Sequence, residues 1–377
     1  MSTTVQNPAP TTSLRDRVLR LAEMVTTPLV PADYLDIVSP LRAGADLRGR
    51  IVAIHPETRD AVTLVIRPGA GWNGHTPGQY VRIGVDVDGV RQWRAYSLTS
   101  AGDRTDGCIT ITVKAIPDGK VSNHLVRRAR PGTVIHLDQA AGDFVLPAEA
   151  PAKVLFLTAG SGITPVMGML RNLSTVAAGR ERARLDTLDV VLVHSAPTPA
   201  DVVFGGELRM LAARDRIRLV ERHTDAEGML DPADLVRLVP DYAQRQTWAC
   251  GPTGMLDAVE ERWTSEGIGD RLHTERFRPS VVVTGEGGTV RFTASDVTLE
   301  ADGATPLLDA GEAEGVLMPS GCRMGICFGC VVPLVEGAVR DLRNGEITTA
   351  APHESGAGGV PIQTCVSAAA GACDINL

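Results

Sequence analysis

The chain has 377 residues, 44% of them hydrophobic and 22% charged, with a formal net charge of −8. That length exceeds a single compact core and implies about two to four domains. No apolar run is long enough for a membrane span, the acidic balance disfavours nucleic acid, and the start MSTTVQNPAP lacks the basic residues and apolar run of a secretory signal, so a cytoplasmic protein is expected.

Residues 1–45 form an N-terminal extension rich in Thr and Pro. It carries one expected helix, Ser13–Val25, with Ser13 as N-cap and Leu14, Val18, Leu21 and Val25 at helical spacing. From 46 to 150 the pattern changes to short strands. IVAIH, AVTLVI, QYVRIGV, ITITVKAI and TVIHL are rich in β-branched residues and separated by Gly, Pro and Asp, with one helix expected over Ser122–Arg130. Strands of this length and spacing predict a closed antiparallel β-barrel.

From 151 to 278 the rhythm becomes strand and helix. KVLFLTAG leads into a helix over Thr164–Leu173, VVLVHSA into one around Glu207–Ala213, and TWACG into one over Met255–Glu266, with IRLVERH between the last two. Apolar strands alternating with helices predict a parallel sheet covered on both faces. Pro279–Gly288 reads as a linker, and 289–377 as an α+β segment that opens with the strands TVRFTA and VTLEA. From Thr289 onward there are eleven acidic and four basic residues, a balance of −7 in a chain whose total is −8. Such a module can steer toward a basic partner surface, or can serve solubility as a solvated acidic face.

The chain has seven cysteines, and three of them, Cys322, Cys327 and Cys330, stand as C-x4-C-x2-C, with Cys365 on a later strand-like segment, PIQTCVS. This is the plant-type ferredoxin spacing, in which four thiolates hold two irons and two sulfides. Glycines between the ligands let backbone N–H groups approach the sulfurs. A structural zinc site would usually pair its cysteines as two C-x2-C knuckles, and one such pair occurs here. Cys108 and Cys373 read as packing residues.

Further motifs precede the cysteines. Arg94-Ala95-Tyr96-Ser97, on a strand after the turn at Asp88-Gly89, offers a forked cation for a phosphate, a flat ring and a hydroxyl. Gly119-Lys120-Val121-Ser122 opens the one helix of the barrel region and suits a diphosphate. Gly160-Ser161-Gly162-Ile163-Thr164-Pro165 follows an apolar strand and opens a helix, with proline where a first turn tolerates it. Cys250-Gly251-Pro252 follows another parallel strand.

The segments RAYSLTS and GKVSNHL resemble the ferredoxin–NADP reductase superfamily. The resemblance implies that Arg94 binds the flavin diphosphate, that Tyr96 packs on the flavin ring, that Ser97 hydrogen-bonds near its reactive nitrogen, and that Ser122 assists at the diphosphate. It implies further that Gly160, Ser161, Gly162, Thr164 and Pro165 receive the pyridine nucleotide, and that Cys250, beside Gly251 and Pro252, lies near the nicotinamide and positions it. Glu275-x-Phe277 resembles the segment that approaches the flavin in such proteins. Ser195 is a candidate ribose contact, and Arg222 a cation after the next strand for a 2′-phosphate; NADH and NADPH both stay open, as does FMN in place of FAD. The order of modules is similar to the phenylacetyl-CoA epoxidase reductase and hybrid-cluster-protein reductase group. Pro31–Pro40 resembles actinobacterial reductases that serve membrane fatty-acid desaturases or alkane hydroxylases. The function implied is NAD(P)H-dependent transfer of electrons through FAD and a [2Fe–2S] cluster to an acceptor protein, either a membrane diiron desaturase or hydroxylase or a soluble oxygenase. Two other readings remain, a fixed reductase subunit of a multicomponent monooxygenase and a non-catalytic redox sensor.

Overall fold

The computed structural model describes residues 39–42, 44, 46–87, 89–117, 119–174, 185, 187–277, 284–321, 323–325, 328–351 and 359–377. The expected helix Ser13–Val25, Asp88 and the ligand candidates Cys322 and Cys327 lie outside the described residues. Among the described residues no helix is long and apolar enough to cross a membrane.

The first unit is built from β1 (Arg48–Thr58), β2 (Ala61–Pro68), β3 (Tyr80–Val87), β4 (Val90–Ser97), β5 (Ile109–Lys114), α1 (Lys120–Arg127) and β6 (Val134–Leu137). The strands form one antiparallel sheet in the order β4-β3-β6-β1-β2-β5, and an isolated bridge between Leu98 and Ile111 joins its two edges into a barrel. Side chains alternate across each strand, so Val81, Ile83, Val85 and Val87 of β3 all point inward and are buried. They meet Ile51, Leu64, Ile66 and Ile111 in a single apolar core. Each such side chain contributes about 1.5–3 kcal/mol by leaving water.

The second unit runs β7 (Lys153–Ala159), α2 (Ile163–Ser174), β8 (Asp189–Ala196), α3 (Gly205–Ala213), β9 (Arg218–His223), β10 (Gln246–Cys250), α4 (Thr253–Ser265) and β11 (Leu272–Glu275). Every strand pair is parallel, in the order β11-β10-β7-β8-β9. Both faces are covered: Phe156 and Leu192 belong to one buried cluster, Leu155, Leu157, Val191 and Val193 to another. The strand order reverses at β7, between β10 and β8. In open parallel sheets this is where the loops after neighbouring strands part and leave a crevice.

The third unit contains β12 (Gly288–Phe292), β13 (Val297–Ala301), α5 (Leu307–Ala313), β14 (Val331–Asp341), β15 (Ile347–Ala350), β16 (Val360–Gln363) and β17 (Ser367–Ile375). Its mixed sheet runs β13-β12-β17-β14-β15, with β16 also on β14, and β12 lies parallel to β17. Leu307 and Leu308 of α5 pack with Phe292, Leu334 and Ile375, giving a β-grasp arrangement of helix over sheet. Of the linker stretch, residues 279–283 lie outside the described residues, whereas Gly285 bonds Gly303 and Gly287 bridges Ala370, so its glycine-rich end belongs to this unit.

Candidate functional site

Strand β4 pairs with β3 so that Arg94 faces Ile83 and Tyr96 faces Val81 in register, with Ala95 between them. The Arg94 guanidinium donates to the Trp93 carbonyl at 2.7 Å and to Gln92 Oε1 at 3.5 Å, and among the described residues it has no carboxylate partner. Burial, and then the like charge of Arg323, lower its pKa from the ordinary value. A partly buried cation in that position calls for an anion, and a phosphate accepts its forked donors. Burial pushes the Tyr96 phenol up, so the ring stays neutral. Ser97 is buried, and its Oγ has no hydrogen-bond partner.

Helix α1 begins after Gly119, which supplies no side-chain cap and leaves the first-turn N–H groups available to a ligand. A groove of about 320 Å³ runs along the length of α1, lined by Val87, Gly119, Lys120, Asn123, His124, Arg127 and Arg128. Its cations complement a diphosphate. Ser122 is turned inward: its hydroxyl donates to the Gly119 carbonyl at 3.2 Å and accepts from Ile116 N–H at 3.3 Å. Val121 packs into the barrel core. Within this motif the groups free to meet a ligand are the backbone N–H groups and Lys120, while Ser122 shapes the turn.

On the parallel sheet, Gly160–Gly162 forms one 3-10 turn between β7 and α2. A Cβ at Gly162 would lie 2.0 Å from the Cys250 carbonyl oxygen, so only glycine lets the loops after β7 and β10 meet. Thr164 Oγ1 donates to the Ser161 carbonyl at 2.9 Å, and Pro165 sits in the first turn of α2. Cys250 is fully buried at the end of β10, Gly251 follows it, and Pro252 is the N-cap residue of α4. Register places Cys250 beside Glu275 of β11.

Glu275 carries an Oε2 that is sealed from solvent and unpartnered. Burial, and then Asp143 from the barrel side, push its pKa up to about 8. Burial, and then Glu275, also raise the Cys250 thiol, so this cysteine is a neutral packing and positioning group. The seam between barrel and sheet is fastened close by. Arg171 of α2 donates to the Thr99 carbonyl, two residues past Ser97, at 2.8 Å, and Trp248 Nε1 donates to the Val145 carbonyl at 3.2 Å. Ser97 thus stands two residues from one of these contacts, and Glu275 pairs in register with Cys250, whose carbonyl meets Gly162.

Ser195 ends β8 with a buried Oγ that has no partner, and it stands in register with Arg222 of β9. The Arg222 guanidinium, however, bonds the Gly228 carbonyl at 3.0 Å, the Glu227 carbonyl at 2.8 Å and Asp234 at 3.0 Å, which ties it to its own loop. On the opposite face His194 bonds Thr158 Oγ1 through Nδ1 at 2.8 Å and leaves Nε2 sealed and unpartnered. Burial pulls its pKa down to about 4, so the ring is neutral.

In the third unit, Cys330 and Cys365 are 1% and 3% exposed, with their Sγ atoms 3.1 Å apart. That is far beyond a disulfide bond, and the two thiols face one sealed space. Thr364 makes the approach: its N–H and Oγ1 both donate to the Cys330 carbonyl, at 3.3 and 2.9 Å. Cys365 therefore sits in the turn between β16 and β17, rather than within a strand as its flanking residues suggest. Arg323, Gly325 and Phe328, in the segment that precedes Cys330, all have left-handed backbone. Two adjacent buried sulfurs supply half of the four thiolates that a [2Fe–2S] cluster needs, and Cys322 and Cys327, the other two candidates, lie outside the described residues. Arg323 pairs with Asp309 at 3.0 Å and with Glu312.

The chain matches the family models of the oxidoreductase FAD-binding domain over residues 61–146, the oxidoreductase NAD-binding domain over 156–261 and the 2Fe-2S iron-sulfur cluster binding domain over 290–370. It is 50% identical over 363 residues to an NADPH oxidoreductase of Mycobacterium tuberculosis, covering 95% of this chain and 91% of that protein. The chain belongs to the ferredoxin–NADP reductase superfamily, in the branch with a C-terminal [2Fe–2S] domain. It is also 32% identical to the ferredoxin reductase component of 3-ketosteroid-9-alpha-monooxygenase from Mycolicibacterium smegmatis, covering 77% of this chain and 86% of that one. Phthalate dioxygenase reductase shares the fold, with a TM-score of 0.57 at 21% identity, covering 88% of this chain and 97% of that structure. The reductase is thus an oxidoreductase that takes electrons from a pyridine nucleotide through FAD to a 2Fe-2S cluster.

Sequence reasoning reached the motif residues but not their partners. The segment at Glu275 stood out as one that approaches the flavin, yet its unpartnered carboxyl follows from the pairing of β10 with β11. His194 and Arg343 lie outside every motif, and Arg323 falls at a variable position inside the cysteine motif.

Proposed function

We propose that the reductase uses NADPH and delivers single electrons to the oxygenase or desaturase component of a multicomponent system, in the cytoplasm or at its membrane face. The cofactor preference rests on likeness to the mycobacterial NADPH oxidoreductase, and the acceptor class on likeness to the ketosteroid monooxygenase reductase component. One observation carries the delivery step: Phe328, between two cluster cysteines, is 68% exposed beside thiols that are sealed from water. An apolar contact point at the edge of a buried centre is where an acceptor can approach, and the acidic balance of this unit favours a partner with a basic surface. A membrane diiron desaturase or hydroxylase is the finer reading, carried by the Pro31–Pro40 resemblance.

In this reading the chain divides into an N-terminal extension (1–45), an FAD barrel (46–150), a nucleotide domain (151–278), a linker (279–288) and a cluster domain (289–377). Arg94 and the α1 end neutralise the flavin diphosphate, and Tyr96 flanks the ring. Ser97 donates a hydrogen bond at the reactive edge. Gly160, Ser161, Gly162, Thr164 and Pro165 admit the nucleotide phosphates, while Ser195 contacts the ribose. Cys250, Gly251 and Pro252 shape the nicotinamide pocket, and protonated Glu275 can hold or supply a proton there. Cys322, Cys327, Cys330 and Cys365 hold the cluster. When bound, FAD takes up a hydride and passes on single electrons, which the cluster carries one at a time. Co-purification with a tagged acceptor tests the proposal. Stimulation of oxygenase or desaturase turnover by NADPH and substoichiometric reductase supports it, whereas a fixed equimolar complex would favour the permanent-subunit reading.

A further inference from the structure

Arg343 lies on the turn after β14, outside every motif of the sequence. Its Nη1 donates to the Gly325 carbonyl at 3.0 Å, in the middle of the cluster loop, and its Nη2 donates to Gln363 Oε1 at 3.2 Å, two residues before Cys365. Gln363 closes the triangle by donating Nε2 to the same Gly325 carbonyl at 3.0 Å. One guanidinium therefore touches both segments that bring sulfurs to the cluster. Gly325 has φ +75°, and a Cβ there would lie 2.5 Å from Arg343 Nη1, so the loop is shaped to this contact. Asp341 holds the other side of the guanidinium, through Oδ1 at 3.0 Å and Oδ2 at 2.6 Å. The Asp341 carboxylate raises the Arg343 pKa further, so the guanidinium is a fixed cation.

We propose that Arg343 is a positioning residue that clasps the two ligand-bearing segments and, with Asp341 as counterweight, sets the reduction potential of the cluster. This rests on the reading that the four cysteines hold a [2Fe–2S] group. Reduction adds one negative charge, which a nearby cation stabilises and a nearby carboxylate opposes. Arg343 is 37% exposed at its side chain, so solvent screens the effect.

The test is an anaerobic redox titration of the purified holoenzyme, following the cluster by EPR and the flavin by absorbance. Arg343→Gln removes the cation and leaves Asp341 unopposed; it should shift the flavin–cluster electron distribution about tenfold toward the flavin, about 59 mV for a one-electron couple. Asp341→Asn keeps the bonds to Gly325 and Gln363 and should shift the cluster in the opposite direction. Arg343→Lys keeps the charge and should stay within about threefold of wild type, with the flavin potential constant in all three. Should Arg343→Gln fail to hold its cluster, Asp341→Asn alone decides. Unmoved cluster potentials in Asp341→Asn, or equal shifts in Arg343→Lys and Arg343→Gln, would overturn the proposal. A wild-type protein without iron would instead sink the cluster reading beneath it.

Discussion

The two redox sites of this chain are held in opposite ways. The crevice proposed for the nicotinamide is made from the ends of regular elements: Gly160–Gly162 after β7, Cys250 ending β10 and Glu275 closing β11, fixed by sheet register. Among the described residues between α5 and β14 there is no helix or strand, and side chains hold this segment from outside. Arg343 and Gln363 hold Gly325, Thr364 holds Cys330, and Arg323 reaches back to Asp309 and Glu312. The first site needs backbone precision for hydride transfer, where small displacements are costly. The second needs four sulfurs sealed from water, and a loop can provide them once its anchors are in place.

That contrast can be broken at several points. The largest effect is expected from Cys365→Ser, which should abolish cluster absorbance and slow transfer to a protein acceptor by more than about 100-fold, while NADPH still bleaches the flavin. Persistence of iron at wild-type content would contradict the ligand assignment. Next, Ser97→Ala should slow flavin reduction by ~10²-fold and leave the cluster spectrum intact, since it removes a donor at the reactive edge rather than an anchor. Stopped-flow bleaching measures this, and an unchanged rate would remove Ser97 from the site.

Glu275 gives a pH test. Its folded pKa, about 8, stands above its ordinary value near 4.5. The folded state therefore holds the proton more tightly, and the stability from this group is fully present below about 4.5. It declines as pH rises and is lost above about 8. Denaturant midpoints at pH 5 and pH 9 should differ more in wild type than in Glu275→Gln, which has no charge to bury; equal differences would show that Glu275 ionises freely. The smallest effect is salt. Transfer to an acceptor should slow several-fold as ionic strength rises, while flavin reduction by NADPH changes little, because only the first depends on surface charge. Salt-insensitive transfer would remove the steering role of the acidic unit.

The same contrast sets what could be read from residues alone. Strand and helix patterning carried the barrel, the parallel sheet and the α+β unit: strands rich in β-branched residues for the barrel, and apolar strands alternating with helices for the sheet buried on both faces. Motif spacing carried the glycine turn and the cysteines, because those geometries need particular residues at particular offsets. Contacts between distant segments left no such trace. Arg222, a candidate phosphate cation, is bound to Asp234 and its own loop, and Ser122 is turned inward to Gly119. Arg343 and Gly325 meet across 18 residues with nothing in either neighbourhood to announce it. The flanks of Cys365 look like strand on both sides, and the turn shows only in the bond from Val366 N–H to the Gln363 carbonyl and the bonds of Thr364 to Cys330.

The electron route itself can be tested in one anaerobic titration of the reductase with NADPH, followed by absorbance and by EPR on matched samples. Bleaching of both flavin and iron–sulfur bands, with the EPR signal of a reduced [2Fe–2S] cluster growing in, is the expected result. Bleaching of the flavin alone, in a protein that holds zinc or no metal, would contradict it.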